Sequence, residues 1–312
     1  MPANLTPEYL AAEERFRQAK TLEEKIFALK EMLATVPKHK GTEKLQKEIK
    51  TKLSKYQKEL QKRPATRRTI FYHFEKKGAG QVAVFGFANA GKSSLVRCLT
   101  RAPLEVAPYP YTTKIPKEGM MPYENIQIQI IDTPPLTESA SGGYFHILRS
   151  ADALIYLLDL ASDDLLSDYE KGFEILEKGR IPRERVSLIV GNKIDTEEGK
   201  VGGELLREIC PNLFTISVEK GLGIEELKRE IFFSLEIIRV YTKPPQEKPD
   251  FSEPIILKKN ASVLDAAQKL HKDFARNLKY ARIWSKDNRV FSGQRVETSF
   301  ILKDGDIIEF HI

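Results

Sequence analysis

Gly86-Phe87-Ala88-Asn89-Ala90-Gly91-Lys92-Ser93 is a complete Gly-x-x-x-x-Gly-Lys-Ser string, and it constrains the chain more than any other feature. Gln81-Val82-Ala83-Val84-Phe85 before it reads as a short buried strand, and Lys92 to Thr100 after it as a helix with Leu95, Val96 and Leu99 on one side. A strand that turns through glycines into a helix points backbone N–H groups and the positive end of a helix dipole at one spot, which is a cradle for phosphate. Asn89, Ala90, Gly91, Lys92, Ser93 and Ser94 are the residues this pattern places around the phosphates. Lys92 reaches the β- and γ-phosphates, and the Ser93 hydroxyl ligates Mg²⁺. The bland reading, a glycine-rich turn without function, has to be tested on the rest of the chain.

Asn192-Lys193-Ile194-Asp195, directly after the apolar run Ser187 to Val190, bears on which base is held. A carboxylate at a strand end accepts two hydrogen bonds from the N1 and N2 positions of guanine. Adenine lacks that donor pair, so Asp195 penalises ATP. Asn192 braces the loop, Lys193 lies over the base plane, and Ser217-Val218 after the next strand offers a backbone N–H to the guanine O6. Asp132-Thr133-Pro134 follows the strand ending at Ile131, where Asp132 holds Mg²⁺ through water. Tyr111-Thr112-Thr113 falls where a switch threonine closes on the γ-phosphate and Mg²⁺. Thr112 and Thr113 both qualify; Thr113 is taken with Lys92 and Asp132 as the catalytic set, and with Ser93 and Asp132 as the metal set. The pieces stand in the right order for a guanine-nucleotide site with Mg²⁺.

Four regions follow one another. Residues 1–65 read as charged helices: Thr6-Pro7-Glu8 opens one, Thr21-Leu22-Glu23-Glu24 caps a second that Pro37 stops, and Gly41-Thr42-Glu43 opens a third with Leu45, Ile49, Leu53 and Tyr56 in a seam. That seam is either internal to a helical hairpin or a docking face. Residues 79–240 alternate strands and helices, the grammar of a mostly parallel sheet covered on both faces, closed by a long helix from Ile224 to Val240. Residues 241–253 form a proline-rich linker. Residues 254–312 carry the strands Ile255 to Leu257, Tyr280 to Trp284 and Ile307 to Ile312 around a helix capped by Ser262, a small α+β domain. Trp284 reads there as a core residue rather than a base-stacking platform.

Charge is unevenly spread. Between Lys38 and Lys77 fourteen Lys or Arg face four Glu, a local balance of +10 in a chain of net charge +6. Such a block is either a nucleic-acid-facing arm or a solvated helical surface. No apolar run approaches membrane-spanning length, and the N-terminus lacks the basic and apolar stretches of a secretory signal. Cys98 and Cys210 are too few and too far apart for a disulfide framework or a metal quartet. The expectation is a cytoplasmic protein with no membrane partner. His39, His73, His146, His271 and His311 show no metal spacing.

Taken together, Val36-Pro37-Lys38-His39-Lys40-Gly41-Thr42-Glu43-Lys44-Leu45, the nucleotide motifs, Tyr241-Thr242-Lys243, Lys279 to Trp284 and Asp304-Gly305-Asp306-Ile307-Ile308 resemble the Obg-related GTPases, most closely the developmentally regulated GTP-binding proteins. The resemblance covers nearly the whole chain. It implies a P-loop GTPase domain and a C-terminal TGS domain of β-grasp fold. It further implies GTP hydrolysis and association with ribosome or RNA. An accessory regulatory protein is a separate candidate partner, which the sequence does not name.

Two departures stand out. The spacing from Asp132 to Asn192 is that of a plain G domain, so the domain that eukaryotic members insert there is expected to be absent. The second switch lacks its glycines and reads Pro135-Leu136-Thr137-Glu138. Proline replaces the glycine whose N–H ordinarily meets the γ-phosphate, a loss of roughly 10- to 100-fold in GTP-over-GDP preference unless Thr133 or Thr113 substitutes. Leu136 stands where many GTPases carry a water-orienting Gln, so hydrolysis is expected to be slow. Asn89 either binds a K⁺ ion that supplies the missing positive charge or hydrogen-bonds within its loop. The alternative overall reading is a nucleotide-dependent protein-interaction module with negligible hydrolysis.

Overall fold

The computed structural model describes residues 7–19, 22–37, 42–62, 74–100, 105–106, 116–245, 247–285 and 290–311. The chain divides into two compact units, Met1–Thr69 and Ile70–Ile312.

The first unit contains helices α1 (Pro7–Gln18), α2 (Leu22–Thr35) and α3 (Glu43–Lys62). Pro7 opens α1 with φ already suited to a helix and no N–H to waste. The seam of α3 is internal: Ile49 is buried with Tyr9, Ala12, Leu29, Met32 and Val36, and Leu45, Leu53 and Tyr56 pack against them. The unit is thus three helices closing on one small core rather than a hairpin. The buried Thr42 hydroxyl donates to the Pro37 carbonyl, tying the stop of α2 to the start of α3.

The second unit begins with the nucleotide-binding part. Its elements are β1 (Gln81–Phe85), α4 (Lys92–Thr100), β2 (Glu105–Val106), β3 (Lys117–Tyr123), β4 (Ile126–Asp132), α5 (Gly142–Ser150), β5 (Ala153–Asp159), α6 (Leu165–Lys178), β6 (Leu188–Asn192), α7 (Glu197–Ile209), β7 (Phe214–Thr215) and α8 (Ile224–Ser234). The sheet order is β2-β3-β4-β1-β5-β6-β7. Strands β4, β1, β5, β6 and β7 run parallel, while β3 is antiparallel to β4 and β2 to β3. Alternation along the strands supplies both faces. Ala83, Phe85, Leu154 and Tyr156 join α5 and α6 in one core, and Val82, Val84, Ile155 and Leu157 join α4 and α8 in the other. In this order the turns after β1, β4, β6 and β7 all emerge at the carboxyl edge of the sheet, where ligands bind in open α/β folds.

The C-terminal part holds β8 (Ile237–Thr242), β9 (Ile255–Lys258), α9 (Val263–Leu270), α10 (Lys272–Asn277), β10 (Tyr280–Trp284), β11 (Gln294–Val296) and β12 (Ile307–His311), in sheet order β11-β10-β12-β8-β9. Ser262 caps α9 in a reciprocal capping box with Asp265. Ala281, Ile283, Val296 and Ile308 are buried in a core with Val263 and Ala266 of α9. Trp284 is therefore half-buried on the outer face, not the core residue its strand pattern suggested. The long helix expected from Ile224 to Val240 is not continuous. It ends at Ser234, and Ile237–Thr242 is a strand of the second sheet. Glu236 turns the chain at φ 50, a left-handed position with no glycine to announce it. The segment expected as linker starts inside that strand, and beyond it the Asp250 N–H donates to the Thr242 carbonyl.

Arg239 joins the two sheets. Its guanidinium pairs with Asp304 at 2.7 Å and with Glu124, and lies 4.7 Å from the Phe232 ring centroid. We expect Arg239→Ala to lose about 2 kcal/mol, because its carboxylate partners are partly exposed, and the melting temperature to fall by roughly 5 °C. An unchanged calorimetric transition contradicts this.

Candidate nucleotide site

Glycine fits the loop for steric reasons. At Gly86, φ 153, a Cβ would overlap the Leu157 carbonyl oxygen, and at Gly91, φ 93, it would overlap the Asn192 amide. Asn89 adopts φ 65, a left-handed conformation that Asn tolerates. This backbone demand is a reason for Asn at position 89 that needs no ion. Its side chain is exposed at the rim of the cavity described below.

Lys92 opens α4, is 6% exposed, and donates from Nζ to the Phe87 carbonyl at 2.6 Å. The Ser93 hydroxyl donates to Asp132 Oδ2 at 2.6 Å. These two residues lie far apart in sequence; the parallel pairing of β1 with β4, Val84 opposite Asp132, brings them together. Asp132 Oδ1 is buried without a hydrogen-bond partner among the described residues. Burial pushes the Asp132 carboxyl above its usual range, against the pull of the Ser93 hydroxyl and the Lys92, Lys117 and Arg97 charges. A hydroxyl beside a carboxylate with one orphaned oxygen is a donor set suited to a hydrated hard cation.

Asn192 ties the loops together. Its amide donates to the Ala90 carbonyl at 3.0 Å, and its carbonyl oxygen accepts the Val218 N–H at 3.1 Å. In this structure that N–H is therefore engaged by Asn192, not turned toward an incoming O6. Beside this tether lies a cavity of about 500 Å³ lined by Asn89, Gly91, Ser94, Asn192, Lys193, Asp195, Thr196, Val218 and Glu219. Ser217 is fully buried, and its hydroxyl holds the Asp195 carboxyl below the usual carboxylate range. Lys193, at φ 71, pairs its ammonium with Asp159 at the end of β5. Asp159 and Glu219 were not legible as site residues. Asp159 merely ends an apolar strand, and Glu219 stands where no local pattern marks it.

The second switch is turned inward. Leu136 is 2% exposed and packed in the core with Phe85 and Tyr144, and its N–H donates to the Gly86 carbonyl at 2.9 Å. Pro135 has no N–H. The Thr133 hydroxyl donates to the Val84 carbonyl at 2.9 Å, so it does not replace the missing phosphate contact in this arrangement. Thr112 and Thr113 lie outside the described residues.

A family profile described as 50S ribosome-binding GTPase matches residues 81–193, and one described as TGS domain matches residues 238–312. The chain is 30% identical to an uncharacterized GTP-binding protein of Methanocaldococcus jannaschii, MJ1326, over 92% of each chain. It is 26% identical to developmentally-regulated GTP-binding protein 2 of Homo sapiens, over 92% of this chain and 98% of that one. The chain belongs to the family of developmentally regulated GTP-binding proteins. The alignment with the Methanocaldococcus member spans 360 positions, more than this chain's 312 residues, so that relative carries segments absent here. The YchF GTPase of Schizosaccharomyces pombe superposes with TM-score 0.51 at 14% identity, over 77% of this chain and 100% of that one, a likeness of fold. This GTPase-family member thus carries a P-loop GTPase domain and a TGS domain, and among its described residues no helix is long and apolar enough to cross a membrane.

Proposed function

We propose that this chain is a cytoplasmic GTPase switch. It binds GTP or GDP with Mg²⁺, hydrolyses GTP slowly, and uses the bound nucleotide to control association with ribosome or structured RNA. The observation that carries nucleotide binding is the Asn192 tether, because it fixes the phosphate loop and the base loop as one preorganised surface around the cavity. Ala90, Gly91, Lys92, Ser93 and Ser94 take the phosphates, Asp195 reads the guanine edge, and Lys193 covers the base. Ser217 positions Asp195, and the turn at Val218 lies beside O6.

Ser93 directly and Asp132 through water would hold Mg²⁺, with Thr113 as the expected third ligand. When bound, the ion neutralises charge on the β- and γ-phosphates. The orphaned Asp132 Oδ1 supports this assignment. The RNA arm of the reading is supported by the basic block from Lys38 to Lys77 and by the description of the matching family profile. Co-sedimentation with ribosomes in GDP, a GTP analogue and no nucleotide tests it. Equal sedimentation in all three states, or none in any, removes the control function.

With Pro135 lacking an N–H and the Leu136 N–H spent on Gly86, the second switch offers the γ-phosphate little. Pro135→Gly is expected to raise the GTP-to-GDP affinity ratio about 10-fold, measured by calorimetry; an unchanged ratio argues that another group already senses that phosphate. Asn89 at the cavity rim is the candidate K⁺ ligand, and turnover is expected to be faster in KCl than in NaCl. Equal rates leave Asn89 with its backbone role alone.

The burial of Leu136 favours a second reading, a nucleotide-dependent protein-interaction module that hydrolyses GTP negligibly. Salt-insensitive capture of a protein and single-turnover rates indistinguishable from buffer support it over salt-sensitive RNA binding.

A further inference from the structure

Lys193 stands in a backbone conformation that its residue type avoids. Its φ of 71 is left-handed, where glycine is at ease and Asn or Asp is the usual substitute. Strain of this kind persists only where the surroundings hold it in place. Here the hold comes from the start of α7. The Lys193 carbonyl accepts the Thr196 N–H and the Thr196 hydroxyl, both at 3.2 Å. Gly199 leaves room for that carbonyl, which a Cβ at position 199 would overlap. A glycine in place of Lys193 would meet the same backbone demand with less strain. What the lysine adds is its side chain.

That side chain is held from β5. Asp159 ends the strand opposite Asn192 of β6, and its Oδ2 takes the Lys193 ammonium. Its Oδ1 accepts the Ala161 N–H at 3.0 Å, so the carboxylate is already braced by its own turn. The Leu160 N–H donates to the Asn192 carbonyl at 3.1 Å, which keeps the two strand ends together. Side-chain exposure is 16% for Asp159 and 38% for Lys193, so solvent only partly screens the pair. Lys193 lines the cavity of about 500 Å³, whereas Asp159 lines a separate one of about 160 Å³ with Phe87, Asn89 and Ala90. With the ammonium anchored at the end of β5, the methylene stem of Lys193 is left to meet a base.

We propose that Asp159 is a positioning residue for nucleotide binding, which holds Lys193 extended before the base arrives. This rests on the reading above that Lys193 covers a guanine. A free lysine side chain that the ligand itself must order weakens binding roughly 10-fold. Asp159 removes that penalty in advance. One effect opposes it: a carboxylate beside the phosphate loop repels incoming phosphates. Solvent and salt screen that repulsion, while the ordering of the stem is unaffected by screening.

Wild type, Asp159→Asn, Lys193→Met and the double variant are compared by displacing a fluorescent GDP analogue. The competitors are GDP and IDP, which lacks the guanine 2-amino group. Asparagine keeps the acceptor for Ala161 and loses the ion pair; methionine keeps an apolar stem and loses the ammonium. Each single variant is expected to weaken GDP about 5- to 10-fold, and the double variant by the same factor, because all three break one anchor. Independent contributions would multiply to about 25- to 100-fold, and that result overturns the proposal. GDP binding that is unchanged or tighter in Asp159→Asn overturns it too, leaving the carboxylate only its repulsion. The GDP-to-IDP ratio is expected to keep its wild-type value, since a stem over the ring plane reads no edge. A collapsed ratio in Asp159→Asn makes Asp159 a base-reading group instead and refutes the positioning role. Wild-type protein with no preference for GDP over IDP refutes the guanine site and this proposal together. A clear preference with multiplying variants refutes the positioning role alone.

Discussion

Asp195→Ala is expected to lower GDP affinity about 100-fold or more and to collapse the preference for guanine over adenine nucleotides. The reason is geometric. Asp195 lines the cavity beside the buried Ser217, whose hydroxyl pulls its carboxyl below the usual carboxylate range; on the proposed reading its two oxygens would accept from a guanine edge, which adenine cannot match. Alanine removes both acceptors while leaving the Asn192 tether and the phosphate loop untouched, which makes the variant a test of base reading alone. Competition calorimetry with GDP and ADP measures it. A GDP-to-ADP ratio that survives the substitution removes Asp195 from the base site and, with it, the main argument for guanine.

Lys92→Ala is expected to cost a comparable factor, about 100-fold in GDP affinity, with a further loss in GTP turnover. Lys92 is almost wholly buried at the start of α4, with its ammonium on the Phe87 carbonyl. A phosphate that enters the loop meets a charge already desolvated and positioned, so little reorganisation is required. Without ligand the variant should fold, since alanine favours a helix and removes a buried cation. The readout is the nucleotide-induced rise in melting temperature, which follows the ratio of ligand concentration to dissociation constant. Retention of the full GDP-induced shift in Lys92→Ala refutes the assigned role.

Much of the architecture was legible where local signals agree. The strands Gln81–Phe85 and Tyr280–Trp284 match their patterns because apolar runs ended at turn or polar residues, and α9 was announced by its Ser262 cap. The strand β3 was hidden by Gly119 and Pro122, residues that argue against a strand but are tolerated toward an edge, here beside the two-residue β2. The strand β8 was hidden for the opposite reason. Ile237 and Val240 continue the apolar rhythm of α8, and the break between α8 and β8 rests on Glu236 in a left-handed turn that carries no glycine. Trp284 was misplaced because alternation reveals that a strand has two faces without revealing which face meets the helix.

The chemistry of the site was largely a property of the sequence. A phosphate loop, its lysine and hydroxyl, and the Asn192 to Asp195 string are contiguous, and backbone sterics with hydrogen-bond donors and acceptors give short segments their meaning without long-range information. Tertiary structure decided how these pieces are engaged. It brought Ser93 to Asp132, tied Ala90 to Val218 through Asn192, buried Leu136 and spent its N–H on Gly86, and set Trp284 outside the core. Each of these depends on which strands pair and in what register, and register is set by burial across the whole sheet rather than by the residues nearby.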